Sequence, residues 1–209
     1  MGYDILERKE LPYYPDFQAA YADLLDAAVK KAGEKWTEQT YGGLMPPAGT
    51  EAYGEAPIPP FIFADENDDV LDVNHVPTTW GVNEFRIYYS TASPTTGDVP
   101  GWRTILQGGG TPIGQMPEDY ITGLLGFCIP DPTLRFSMLK LDIGDSKYPK
   151  LDIEEMASYD EPTILLKKGA VIMDEVAFTL KGFLESTGYQ RVIPVGFILY
   201  RTRNQMTNI

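Results

Sequence analysis

One cysteine, one histidine and no long apolar run stand in the 209 residues of this chain, and each scarcity removes a class of protein. With Cys128 alone no intrachain disulfide can form, which excludes a secreted disulfide scaffold. The thiol stands in the apolar stretch GFCIP, a setting for a buried, inert cysteine. With His75 alone a multi-histidine metal centre is impossible. A Ser-His-Asp arrangement would have this single base and no GxSxG-like setting for its nucleophile, so His75 reads as structural. No apolar run approaches the ~20 residues that span a bilayer. The amino-terminal stretch MGYDILERKELP lacks the basic region and apolar core of a signal peptide. Gly2 invites myristoylation, but Leu6 stands where that motif wants Ser or Thr. The expectation is a soluble chain made in the cytoplasm.

Basic residues are scarce as well. Seventeen Lys and Arg face thirty Asp and Glu, a formal net charge of −13. Residues 1–60 carry ten acids against five bases, residues 61–160 sixteen against six, and residues 161–209 four against six. Nucleic-acid binding needs a basic face that neutralises phosphates and releases counterions. Neither the amino-terminal part nor the middle offers one, so no direct nucleic-acid binding is expected.

What is present suits a packed core: 43% of the residues are apolar and 12% aromatic. The length fits one domain with an appendage. DFQAAYADLLDAAVKKAGEKW, residues 16–36, carries Phe17, Ala20, Tyr21, Leu24, Ala28 and Ala32 at spacings of three and four, which predicts an amphipathic helix. Asp16 is the expected N-cap, and Asp26 and Lys30 an i,i+4 pair. YGGLMPPAGTEAYGEAPIPPF follows, with four glycines and five prolines, and reads as an extended tether.

From Phe61 the pattern turns to strands. NEFRIYYST, GWRTILQ, TLRFSMLKLDI, PTILLKK, VIMDEVAFTLKG and QRVIPVGFILYRTR are rich in β-branched and aromatic residues, and several alternate. Turn-forming stretches such as GGGTPIG, IPDPT, IGDSKYPK and KKG separate them. Roughly seven to nine short strands with such punctuation predict an all-β sandwich. The apolar final strand is expected in the middle of a sheet, in a hairpin with Val171–Gly182. Val195, Phe197 and Leu199 should share one face, with Gly196, Ile198 and Tyr200 on the other. Both faces should be covered, one by the opposing sheet and one by the helix or a neighbour that Tyr200 would meet. Arg201 and Arg203 would emerge at the rim. Pro194 should mark a bulge or an unpaired edge.

Reactive constellations are weak. GGGTPIG, Gly108 to Gly114, has a phosphate loop's glycines without the following Lys-Ser/Thr, and reads as a turn. In the acidic loop 65–72, Asp65, Asn67 and Asp69 occupy the first ligand positions of a calcium loop. Val70 replaces its hinge glycine and Val76 its terminal glutamate, which rejects an EF-hand and leaves a solvated loop or a looser calcium site. Trp80, Trp102, Tyr88 and Tyr89 could form a sugar-stacking platform or simple sandwich packing. No catalytic, cofactor-binding or metal-binding residue is assigned, and no cofactor.

The helix at 16–36, the tether around residues 41–61 and the strands beyond together resemble a viral single jelly-roll capsid (coat) protein in architecture. The resemblance implies two regions: an arm over residues 1–60, and a jelly-roll-like β-sandwich over residues 61–209 that folds without it. It implies a structural subunit without catalytic activity that self-associates into a higher-order assembly, alone or with other virion proteins, and resides in the virion after synthesis in the host cytoplasm. The acidic arm departs from coat proteins whose basic arm touches the genome. Membrane contact stays open. The alternatives are a carbohydrate- or receptor-binding β-sandwich module and a cupin-like enzyme.

Overall fold

The computed structural model describes residues 2–37, 53–64, 88–90, 100–131, 133–186 and 190–201. Two six-stranded antiparallel sheets pack face to face, and one helix lies on the outer surface of the first sheet. The strands are β1 (Tyr3–Glu7), β2 (Tyr53–Pro57), β3 (Phe63–Ala64), β4 (Tyr88–Ser90), β5 (Gly101–Gly108) and β6 (Tyr120–Cys128). They continue with β7 (Phe136–Ile143), β8 (Ser146–Lys147), β9 (Leu151–Asp152), β10 (Pro162–Ile172), β11 (Phe178–Leu184) and β12 (Gln190–Arg201). The first sheet runs β1-β10-β6-β12-β2, with β4 also on β12. The second runs β3-β5-β11-β7-β8, with β9 also on β7.

The winding follows from one long antiparallel ribbon folded over on itself. Its tip is the turn at Gly144 and Asp145, between β7 and β8. Moving away from the tip, β7 pairs β8, β6 pairs β10, β5 pairs β11 and β2 pairs β12. Successive pairs land in alternate sheets, and the contacts β6·β12 and β7·β11 close each sheet. Two sheets wound in this way form a jelly-roll-like sandwich. Between them lies an apolar core that includes Phe63, Phe127, Phe136 and Phe178, each at most 2% exposed.

The helix α1 spans Pro15–Ala32. Tyr14 is its N-cap rather than Asp16, because Pro15, whose fixed φ suits the first helical position, starts it two residues early. Asp16 sits in the first turn, and Lys30 and Lys31 in the last, both favourable to the helix dipole. No ion pair joins Asp26 to Lys30, contrary to expectation. A π-helical turn, Gly33–Thr37, continues the helix and swings Trp36 into full burial beside Ala28 and Ala32. Lys35 secures this end: its Nζ lies 2.6 Å from Oδ1 of Asp174, in the loop between β10 and β11.

The expected stripe is the buried one. Leu24, Ala28 and Ala32 pack on Ile121, Leu125, Leu165, Phe197 and Leu199, with Phe17, Ala20 and Tyr21 half-buried at the margin. The residues read as an arm therefore belong to the sandwich. β1 pairs along β10, β2 pairs along β12, and the helix covers the sheet between them. Residues 41–52 of the expected tether lie outside the described residues, but Tyr53–Pro57 is a strand.

The final strand is central, as expected, but its partner is not. β12 lies between β6 and β2, whereas β11 belongs to the other sheet, so no hairpin joins them. VIMDEVAFTLKG is itself divided, its first two residues ending β10 and its last five falling in β11. KKG is not a turn: β10 runs through it, with a register shift against β6 between Leu165 and Ala170. Val195, Phe197 and Leu199 do lie under the helix, and Ile198 and Tyr200 face the opposite sheet. Tyr200 thus packs on the inner core. Arg201 is buried, not at the rim, with Nη1 3.4 Å from Oδ1 of Asp119. Arg203 lies outside the described residues.

Candidate functional site

Two surface features stand out from the packed body. The first is a cavity of about 210 Å³ where the amino-terminal segment crosses the first sheet. β4 covers β12 as far as Val192, and β2 begins at Phe197. Between those two stretches Ile193–Gly196 pairs only with β6 among the described residues, and Pro194, which cannot donate to a ladder, falls there. Leu11, Phe17, Ile58 and Val195 give the cavity apolar walls, with Arg8 and Cys128 contributing polar atoms. Arg8 Nη1 is 3.8 Å from Oε2 of Glu161.

Cys128 is buried, and its thiol points to the Glu161 carbonyl oxygen at 3.8 Å. Burial raises its pKa, keeping it protonated and a poor nucleophile at neutral pH. This fits the inert reading. Beside the cavity, the Tyr21 hydroxyl donates to Glu55 Oε1 at 2.5 Å, and its ring packs on Phe197 at 5.1 Å between centroids. Burial, reinforced by the Glu55 carboxylate, pushes the Tyr21 phenol above its ordinary value.

The sign of that shift gives a testable consequence. Above about pH 10 the unfolded chain releases the Tyr21 proton before the folded one does, so stability present at lower pH is lost as pH rises. Tyr14 and Tyr120 are raised in the same direction, mainly by burial. Tyr21→Phe should therefore make the alkaline fall in melting temperature shallower without abolishing it. Melts between pH 8 and pH 11, roughly spanning that window, check the slope; an unchanged slope would show that Tyr21 titrates alike in both states.

The second feature is the outer face of the second sheet. Register places Trp102, Phe183 and Met138 in one cross-strand row, and Thr104, Lys181 and Lys140 in the next. All six are half-buried. Trp102 and Phe183 meet edge to face, with centroids 5.5 Å apart. Lys150 reaches over the Trp102 ring, its Nζ 5.2 Å from the centroid.

Of the residues singled out in the sequence, His75, Trp80 and the acidic loop 65–72 lie outside the described residues, so the calcium question falls there too. Tyr88 and Tyr89 belong to β4. Trp102 is brought together with Phe183 and Lys150. GGGTPIG is a turn, with Gly114 at φ 98° and a bridge between Gly108 and Gly114. Among the described residues, no group of three or more His, Cys, Asp or Glu could hold a metal ion. Sequence reasoning missed the lysine face. Its signal was the alternation of Met138, Lys140 and Asp142 with buried leucines, which assigns those polar residues to one surface.

Comparison with protein-family models, with curated proteins and with solved structures finds no match.

Proposed function

We propose that this chain is a structural subunit that self-assembles, in the manner of a virion coat protein, and resides in the assembled particle. The winding of the two sheets is the observation that carries the reading. Jelly rolls serve as coat subunits, lectin domains and cupins, and the side chains favour the first of these. A cupin-like enzyme needs a cleft with converging polar groups; here large apolar side chains fill the space between the sheets. A sugar-stacking site needs an open aromatic face, and the Trp102 ring already carries Lys150 over it and Phe183 at its edge. What the surface does offer is contact material: the lysine and aromatic face, the apolar cavity, and Tyr13, 85% exposed.

Negative-stain electron microscopy of the purified full chain tests the proposal. Closed shells, rings or regular arrays are expected. Uniform single particles of monomer size, together with binding to a polysaccharide, would replace it with the carbohydrate-binding reading.

A further inference from the structure

The outer face of the second sheet carries more lysines than carboxylates among the described residues, with Asp142 and Asp152 standing against Lys140, Lys147, Lys150 and Lys181. In a chain with thirteen more acids than bases, Lys140, Lys150 and Lys181 share one side of one sheet. Lys140 has Asp142, at 3.3 Å. Lys181 stands directly opposite Lys140 in the ladder and has no carboxylate partner among the described residues. Like charges paired across strands destabilise a sheet. Beside them runs the Trp102, Phe183 and Met138 row, half-buried on a face that no helix covers among the described residues.

The opposite side of the same protomer has the complementary chemistry. The outward face of α1 exposes Asp23 and Asp26 among the small side chains Ala19, Ala22 and Ala27, ahead of the exposed Lys30 and Lys31 in its last turn. Neither carboxylate is held in an ion pair among the described residues. Short side chains let a flat sheet approach the helix, and the two carboxylates lie one turn apart, within reach of a lysine row.

We infer that the lysine and aromatic face of the second sheet docks onto the acidic stretch from Ala19 to Ala27 on the outer face of α1 in another copy of this chain. The docking rests on the self-assembly proposed above and names one of its contacts. Two lysine faces would repel, so the contact is heterologous, sheet to helix. The surfaces lie on opposite sides of the sandwich, so the contact repeats from copy to copy and closes only if each step adds a rotation.

The test is charge reversal in the full chain, read by sedimentation at low and high salt. Lys181→Glu and Asp26→Lys should each weaken self-association by about tenfold or more, because each places like charges in contact. The chain carrying both changes should recover most of the loss, and the wild-type association should weaken with salt. Thermal melts of all three variants should stay at or above wild type, since Asp26 is exposed and Lys181→Glu replaces a like-charge pair with Lys140 by an opposite one. Failure of the double variant to recover would overturn the docking. So would a wild-type assembly that neither single change affects, although self-assembly itself would stand. A wild-type chain that remains monomeric removes both ideas. Binding of a single-stranded oligothymidylate that Lys181→Glu abolishes would assign the face to nucleic acid and overturn the docking as well.

Discussion

A chain lacking residues 1–60 should not fold cooperatively. The sequence pattern alone suggests the reverse, a detachable arm and a self-sufficient sandwich. The packing explains the change. Truncation removes β1 and β2, leaving β10 and β12 without their outer partners over ten paired positions. It also strips the cover from Ile121, Leu125, Leu165, Phe197 and Leu199, all at most 2% exposed in the full chain. Burying one such side chain contributes about 1.5–3 kcal/mol. Five together reach about 8–15 kcal/mol, comparable to the whole stability of a typical domain. Circular dichroism and a denaturant melt of residues 61–209 should show no sigmoidal transition, or an aggregated product. A sharp transition near that of the full chain would mean that the helix and β1 only decorate a finished fold.

Phe197→Ala should cost about 3–5 kcal/mol, by lost burial and the cavity left behind. The ring is 1% exposed and meets Tyr21 at 5.1 Å. It also lies flat over Gly123 of the neighbouring β6, where any Cβ would run into its ring atoms. The site is thus shaped around this ring from two sides, helix above and glycine below, and has little freedom to collapse. Denaturant midpoints of the variant and the parent measure the loss. A cost below about 1 kcal/mol would show that α1 settles into the space, and that the helix is not rigidly seated. Tyr200→Ala should also act on stability, since Tyr200 faces the inner core.

These two effects mark where the sequence was readable. α1 was legible because a helix with one buried face repeats its apolar residues every three or four positions. β7 was legible because one of its faces meets the core and the other does not, so burial alternates along it. β6 escaped notice for the opposite reason. It has eight buried residues in a row, covered by the core on one side and by the helix on the other, so its pattern cannot alternate. Gly123 and Gly126 also gave it the look of a connection. β2 was hidden by composition. Gly54 and Pro57 suggest a tether, yet Gly54 lies beneath the Tyr200 ring, which leaves no room for a side chain there. Pairing was the least legible property. β12 joins strands about 70 and 140 residues earlier in the chain rather than its sequence neighbour, and local pattern carries no record of such choices. The lysine face follows the same logic: Lys140, Lys181 and Lys150, just before β9, come together only once β7, β9 and β11 are set in one sheet.

The most direct test of the account is the mass of the purified full chain in solution, measured by light scattering across a concentration series. Self-assembly predicts a mass well above that of one 209-residue chain, rising with concentration and falling at high salt. A single monomer mass at every concentration and salt would contradict it.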